Sequence, residues 1–306
     1  MILRTPEQRF AALPHFPYSP HYLTLSHPAG DLRMAYIDEG PREAPVVLML
    51  HGEPSWSFAY RHVIEAVVAS GYRAVAPDHI GFGRSDKLPR RSDYSYAAFV
   101  QWLTQFVTEL DLKDILLVCQ DWGGPIGLST LAACQERFSA VVVANTLLPN
   151  CEAPPAGVAD WPGETITAWV DMTANADDLP VAEIVAGVCV NPLNAEIKAA
   201  YDAPFPDASY KAAVLEFPSL IPIREDMPGC AENRRVWQVL ETWHKPFVTA
   251  FSDSDPSTAP WAEVFRRRIP GANNSLHTTL EGAGHFVQEE QGAALAKVVL
   301  SVRELA

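Results

Sequence analysis

The chain has 306 residues, 48% of them hydrophobic, and a formal net charge of −14 at pH 7. This acidic balance, without a cluster of lysine and arginine, argues against a nucleic-acid partner, and no apolar run reaches the length that a membrane span needs. The length and composition suit one large α/β domain or a domain that carries an insertion.

The cysteines and the first residues bear on the cellular compartment. Five cysteines, an odd number, lie in scattered apolar contexts, so we expect reduced thiols rather than a disulfide framework. Residues 1–7 lack the apolar segment of a secretory signal. We therefore expect a cytoplasmic protein. No Cys or His spacing is typical of a zinc site either, so we expect no metal.

The first part of the chain predicts an arm followed by two strands. Residues 1–30 are rich in proline and aromatic residues and are interpreted as an ordered arm that wraps the core. Apolar runs then predict strands over 32–36 and 46–50, paired as a meander. The second strand leads into a turn shaped by Gly52 and Pro54, which would aim the backbone N–H of Glu53 into a site as an oxyanion donor. His51 is interpreted as a hydrogen-bonded scaffold residue.

Strands and helices then alternate at short spacing. The pattern predicts helices over 58–69 and 96–110, and strands over 73–76, 115–119 and 140–144. The loop 77–86 contains two glycines but lacks the rest of a phosphate-binding pattern, so we interpret it as a shaped loop. Short connections between alternating strands and helices are typical of a doubly wound, mostly parallel sheet.

The strand over 115–119 ends in the stretch on which the chemistry depends. Cys119, Asp121 and Gly123 are spaced as in the sharp elbow of an α/β hydrolase, with Asp121 where such enzymes carry a serine nucleophile. A carboxylate needs no deprotonation at neutral pH and can displace a halide, or open an epoxide, at saturated carbon to leave an alkyl ester. The alternative is that Asp121 only caps the helix that begins near Pro125, because Asp is a favoured N-cap.

The alternation stops after residue 149. Residues 150–228 are rich in proline, alanine and aspartate, with short helical patterns and no pattern of a buried strand. A helix over 232–242 and a strand over 247–251 resume the earlier rhythm. We predict a core domain of residues 1–149 and 229–306, and a helical cap domain of residues 150–228 that covers the carboxyl ends of the strands, where such folds bind ligands.

Two later residues complete a catalytic triad with Asp121. Asp255 follows the strand over 247–251, and His285 lies in a glycine-containing turn after a last strand near residues 276–280. The order nucleophile, acid, histidine is that of the α/β hydrolases. Asp253 is the competing acid, but we favour Asp255 because Asp253 lies nearer the strand and could simply cap the turn. Asp255 would orient His285 and stabilise its protonated form.

The sequence is similar to the haloalkane dehalogenases over nearly its whole length. The motifs that carry the resemblance are His51-Gly-Glu-Pro-Ser-Trp56, Cys119-Gln-Asp-Trp-Gly-Gly124, Asp202-Ala-Pro-Phe-Pro-Asp-Ala-Ser-Tyr210 and Gly282-Ala-Gly-His-Phe286. The resemblance is to the branch whose acid follows the later strand. In the other branch a carboxylate follows the strand that here ends near Asn145, so an amide at this position supports Asp255 and gives Asn145 a hydrogen-bonding role.

The resemblance also implies a halide site and a substrate pocket. An indole N–H is donor-only and suits an anion in an apolar pocket. Trp122, beside the nucleophile, is one donor, and Trp161 and Trp169 are the cap candidates. The local pattern favours Trp169. The family lines its pocket at positions that correspond to Phe217, Pro218 and Ile221, and Pro125 would pack beside the nucleophile.

The reaction expected from these residues is hydrolysis of a haloalkane. Asp121 would form an ester while Trp122 and Trp169 bind the halide, and His285 would then activate water, with the N–H groups of Glu53 and Trp122 as oxyanion donors. No cofactor or metal is required. The expected partners are a small halogenated hydrocarbon and a halide ion, and the expected assembly is a monomer or a small homo-oligomer.

Three other functions compete with this reaction. A fluoroacetate-type dehalogenase would need cationic recognition of a substrate carboxylate near the elbow, and the tryptophan there argues against it. An epoxide hydrolase would use the same triad but needs acidic phenols in the cap, for which Tyr201 and Tyr210 are the candidates. A ligand receptor with a degraded site would share only the fold, and an intact triad argues against it.

Overall fold

The chain forms a mixed sheet with helices on both faces. The computed structural model describes residues 2–28, 30–152, 162–273 and 276–306. The described residues contain an eight-stranded sheet in the order β1-β2-β4-β3-β5-β6-β7-β8. In chain order, its strands are β1 (His21–Leu25), β2 (Leu32–Glu39), β3 (Val46–Leu50), β4 (Arg73–Pro77), β5 (Ile115–Gln120), β6 (Phe138–Ala144), β7 (Phe247–Ser252) and β8 (Thr278–Leu280).

The direction of the strands places the chemistry at one edge. β1, β2 and β4 pair antiparallel in succession, whereas the pairs from β4 through β3, β5, β6 and β7 to β8 are parallel. Every residue of β3, β4, β5 and β7 is buried, which is typical of parallel strands covered on both faces. The loops that follow β3, β5 and β7 therefore meet at the carboxyl edge of the sheet.

Some helices cover the sheet, and others form one long connection between two of its strands. They are α1 (Arg61–Ala69), α2 (Tyr96–Glu109), α3 (Gly123–Ala133), α4 (Gly163–Ala174), α5 (Val181–Gly187), α6 (Ala195–Asp202), α7 (Ala212–Glu216), α8 (Pro228–Leu240), α9 (Trp261–Arg268), α10 (Val287–Glu290) and α11 (Gly292–Leu305). α1 packs on α11, whereas α2, α3 and α8 pack on one another. None of the helices in the described ranges is long and apolar enough to cross a bilayer.

The prediction of a meander was wrong. β2 and β3 are formed where predicted, but β4 lies between them and pairs with both. The physical reason is the crossover: β3 and β4 are parallel and joined through α1, so β4 comes to lie beside β3 and takes the position next to β2. The predicted arm also contains a strand, β1, which forms the outer edge of the sheet.

The connection between β6 and β7 is helical in its described part. Helices α4 to α7 lie between the two strands, and α8 follows them. This segment contacts the rest of the protein through polar and aromatic side chains. Tyr201 donates a hydrogen bond to Glu289 at 2.6 Å and packs edge-on against Phe58, while Arg91 pairs with Glu216 at 2.9 Å. These contacts fix the helices over the sheet.

The expectation of five reduced thiols was wrong for two of them. Cys151 and Cys230 form a disulfide with their Cα atoms 5.4 Å apart, whereas Cys119, Cys134 and Cys189 are free. The two paired residues are separated by 79 positions. They meet because the chain leaves the sheet after β6 and returns to it through α8, a long-range contact that spacing along the sequence does not reveal.

Candidate active site

The turn after β5 presents Asp121 at the carboxyl edge of the sheet. Asp121 has a φ of 50°, in the left-handed region that few residues with a side chain adopt. Its N–H donates to the carbonyl of Asn145 at 3.0 Å, and its carbonyl accepts from the N–H of Gly124 at 2.9 Å. A Cβ on Gly123 would lie 2.2 Å from the Leu50 carbonyl oxygen, so the elbow needs a glycine to pack this closely on β3.

The turn after β3 contacts the carboxylate of Asp121. The backbone N–H of Glu53 donates to Asp121 Oδ1 at 2.7 Å, and Thr146 Oγ1 donates to the Asp121 carbonyl at 2.6 Å. Burial raises the pKa of the Glu53 carboxyl well above its usual range, and the nearby charge of Asp121 raises it further while His285 opposes this. Burial therefore favours the neutral form of the Glu53 carboxyl, which reduces the negative charge beside Asp121.

The loops after β7 and β8 bring Asp255 and His285 together. His285 Nδ1 lies 2.9 Å from Asp255 Oδ2, and His285 Nε2 lies 3.4 Å from Asp121 Oδ2. Asp255 also accepts hydrogen bonds from Thr258 Oγ1 at 2.5 Å and from the N–H of Ser257 at 3.1 Å. The imidazole therefore bridges two carboxylates, with one ring nitrogen toward each.

The competing acid, Asp253, binds the backbone of the turn that precedes the histidine. It is exposed, and its carboxylate accepts the backbone N–H of Gly282 at 3.0 Å. This hydrogen bond ties the end of β7 to the turn that carries His285. Asp253 caps that turn, as its position nearer the strand suggested.

The charges of the triad follow from burial and from the two carboxylates. Burial alone would lower the pKa of His285, but the charges and hydrogen bonds of Asp255 and Asp121 more than offset this and raise it to about 10. Burial likewise opposes ionisation of Asp255, yet His285 and the hydrogen bonds from Thr258 and Ser257 hold the pKa of Asp255 below its usual value. At pH 7 the unreacted site holds an imidazolium ion beside Asp255.

A set of buried amides supports the histidine turn. Asn145 Nδ2 donates to the carbonyls of Gly284 at 2.8 Å and His285 at 3.0 Å, and Asn145 Oδ1 accepts the N–H of Ser252 at 2.8 Å. This is the hydrogen-bonding role predicted for Asn145. Gln120 was not predicted: its Nε2 donates to the His285 carbonyl at 3.1 Å, and its Oε1 accepts from Gln288 at 3.0 Å. A polar residue at the end of an apolar strand was the available signal.

The side chains of the triad open into a cavity of about 430 Å³, a volume suited to a small molecule. Among the predicted site residues, those that line it are Glu53, Asp121, Trp122, Pro125, Trp169, Ile221, Asp255 and His285. Trp122 and Trp169 thus face the same space as the nucleophile. The remaining walls are largely apolar and include Leu147, Ile166 and Ile184.

Two predicted residues fall elsewhere. Phe217 and Pro218 are buried but do not line the cavity. Phe217 instead packs behind Trp122, with the ring centroids 4.9 Å apart and nearly perpendicular. Trp161, the alternative cap donor, lies outside the described residues. Phe217 was expected to line the pocket, but its ring instead packs against the indole of Trp122, which lines the cavity.

The cap tyrosines do not reach the cavity. Tyr201 is fully buried and donates its hydroxyl proton to Glu289, and neither Tyr201 nor Tyr210 lines the cavity. His51 is also structural: its Nε2 accepts the N–H of His79 at 3.0 Å. The described residues contain no group of three or more His, Cys, Asp or Glu side chains that could hold a metal.

Comparisons with known proteins agree with this geometry. Residues 45–183 match the model of the alpha/beta hydrolase fold. The chain is 44% identical to a haloalkane dehalogenase of Psychrobacter cryohalolentis over 98% of this chain and 97% of the relative, and 41% identical to haloalkane dehalogenase 1 of Mycobacterium tuberculosis over 98% of each. Among solved structures it resembles the tetrameric haloalkane dehalogenase DpaA from Paraglaciecola agarilytica, with a TM-score of 0.90, 37% identity and 98% of each chain covered.

Proposed function

Because the chain belongs to the haloalkane dehalogenase family of α/β hydrolases, we propose that Asp121, His285 and Asp255 carry out the hydrolysis of carbon–halogen bonds that defines this family. The enzyme converts a haloalkane and water into an alcohol, a halide ion and a proton.

The first step is displacement of the halide. Asp121 Oδ2 attacks the carbon that bears the halogen, the carbon–halogen bond breaks with its electron pair on the halide, and an alkyl ester of Asp121 remains. The indole N–H groups of Trp122 and Trp169 bind the departing anion in a largely apolar cavity, where such donors stabilise developing charge more than they would in water.

The second step is hydrolysis of the ester, and the first step prepares its base. Esterification removes the negative charge of Asp121, one of the two groups that hold the proton on His285. His285 can then release its proton and accept another from a water molecule that attacks the carboxyl carbon of Asp121. Asp255 stabilises the resulting imidazolium, and the N–H groups of Glu53 and Trp122 bind the oxyanion until the alcohol leaves.

The division of the chain follows from the same proposal. Residues 1–149 and 229–306 form the core domain that carries the triad, and residues 150–228 form a cap domain that supplies Trp169 and closes the cavity. Pro125 and Ile221 shape the pocket from the core and cap sides. Asn145 holds the turn that carries His285.

The observation that supports the proposal most directly is the double contact of Asp121. One carboxylate oxygen accepts the N–H of Glu53 at 2.7 Å, and the other lies 3.4 Å from His285 Nε2. Purified protein given 1-bromobutane or 1,2-dibromoethane should release bromide and acid in equal amounts. Diol formation from styrene oxide without bromide release would indicate an epoxide hydrolase instead, and no turnover of either substrate would indicate a receptor.

The assembly and location are separate proposals. We infer a monomer or a small homo-oligomer; DpaA is described as tetrameric, and light scattering on the purified protein tests this. We infer a cytoplasmic location from the free thiols of Cys119, Cys134 and Cys189. The Cys151–Cys230 disulfide opposes this location, since reducing compartments disfavour such bonds. Recovery of the protein in the periplasmic or secreted fraction of its cells would overturn it.

A further inference from the structure

The carboxylate of Glu290 joins the cap to the turn that carries the histidine. Glu290 ends α10, five residues after His285. Its Oε2 accepts the N–H of Gly284 at 2.7 Å and the N–H of Val190 at 3.1 Å. Its Oε1 accepts both the backbone N–H and the side-chain Nδ2–H of Asn191, at 2.7 and 2.8 Å. One carboxylate thus accepts hydrogen bonds from the cap and from the turn that carries the histidine.

The backbones on the two sides of this boundary are also in direct contact. The N–H of His285 donates to the carbonyl of Val188 at 2.9 Å. A Cβ on Gly284 would lie 2.1 Å from the same carbonyl oxygen, so only glycine lets the histidine turn approach this closely. Asn191 Nδ2 reaches the carbonyl of Gly282 at 3.1 Å. The cap loop and the histidine turn therefore behave as one hydrogen-bonded unit.

The same loop forms a wall of the cavity. Gly187, Val188, Cys189 and Val190 line it, as does His285. Val188 and Val190 are 44% and 52% exposed, unusually high fractions for large apolar side chains in this protein. The loop that Glu290 binds is therefore part of the cavity that holds the triad.

We propose that Glu290 is a positioning residue that couples the cap loop 187–191 to the turn that carries the catalytic histidine, so that one carboxylate links the cavity wall to the backbone of His285. The core holds the His285 carbonyl through Asn145 and Gln120, whereas the N–H of His285 is held by the cap. Loosening Glu290 releases only the second of these attachments. The imidazole ring then stays in the site but is less well aligned with the attacking water. A misalignment of about 1 Å can lower the rate on the order of 10²-fold.

The test separates the two chemical steps. In Glu290→Gln an amide replaces the carboxylate, so one of the two accepting oxygens is lost and an NH₂ group faces backbone N–H donors. We expect the burst of bromide from 1-bromobutane, which depends on Asp121, to keep its rate. Hydrolysis of the ester, which depends on His285, should slow by about tenfold or more. Glu281→Gln removes the same charge from an exposed residue at the other end of the turn, and should leave both steps unchanged.

A second variant keeps the proposal testable if Glu290→Gln fails to fold. Asn191→Ala removes only the side-chain hydrogen bonds on the cap side and should slow ester hydrolysis by about two- to fivefold, with the burst unchanged. The proposal is overturned if Glu290→Gln folds and slows both steps equally, or if it and Asn191→Ala both match Glu281→Gln. This inference rests on the proposed two-step reaction. A wild-type enzyme that releases no bromide from 1-bromobutane would sink that reaction, whereas bromide release with unchanged ester hydrolysis in both variants sinks only the role of Glu290.

Discussion

Replacing Asp255 by Asn isolates the charge that stabilises the protonated histidine. The pKa of His285 rises from 6.5 to about 10 in the folded protein, a difference that corresponds to about 5 kcal/mol of imidazolium stabilisation. Asp255 and Asp121 share this effect, but in the ester intermediate Asp121 is neutral. If Asp255 supplies about half, its loss costs about 2 to 3 kcal/mol, which slows ester hydrolysis by on the order of 100-fold. An amide can also favour the wrong tautomer of His285, which lowers the rate further.

The assay follows bromide on mixing the variant with excess 1-bromobutane. We expect a burst of one bromide per active site at the wild-type rate, followed by a steady state that is on the order of 100-fold slower. Asp253→Asn is the matched control, because it removes an exposed carboxylate from the same loop without contact with the ring. The reasoning is refuted if Asp255→Asn turns over at the wild-type rate, or if its burst is slowed as much as its steady state.

Three further predictions concern stability. Phe217→Ala should lower the free energy of unfolding by about 3–5 kcal/mol in urea titrations, because the ring is 1% exposed and packs on Trp122; a loss below 1 kcal/mol would contradict this packing. Unfolded, unreduced protein should show three titratable thiols and reduced protein five, and replacing Cys151 and Cys230 by Ser should lower stability by at most about 4.5 kcal/mol for a closed loop of 79 residues. The raised pKa of His285 stabilises the fold fully below pH 6.5 and loses this effect as the pH rises through about 10, so the melting temperature of the wild type should fall more between pH 7 and 10 than that of His285→Gln.

Local pattern was sufficient to predict most of the parallel sheet. β3, β5, β6 and β7 are buried apolar runs bounded by glycine, proline or polar residues, and each was predicted to within two residues at its ends. A continuous apolar run is enough to predict a strand that is buried on both faces. The turns that follow β3, β5 and β7 were predicted for the same reason, since polar residues directly after a buried strand must lie at its carboxyl end.

Contacts between distant parts of the chain were missed. The place of β4 between β2 and β3 depends on the path of α1, and the Cys151–Cys230 disulfide depends on the return of the chain through α8. Neither leaves a periodic signal. Phe217 shows the same limit within the site, because the resemblance implied that it lines the pocket but could not show that it packs against Trp122 outside the cavity.

The supporting residues of the site were missed because they act mainly by holding the turn that carries His285. Gln288 and Glu290 contact no reacting group in the proposed mechanism, whereas Gln120 Nε2 lies 3.1 Å from His285 Nε2 and also donates to the His285 carbonyl. Residue type and order predict which side chains react. The hydrogen bonds that orient those side chains follow only from the packed structure.

The central claim is that a carboxylate of the elbow becomes covalently bonded to the substrate. Peptide mass spectrometry of His285→Phe, after exposure to 1-bromobutane and rapid acid quenching, tests it most directly. We predict that the tryptic peptide containing Asp121 gains the mass of one butyl group, lodged on Asp121, while Asp121→Asn gains none. An adduct on any other residue, or full bromide release without an adduct, would contradict the account.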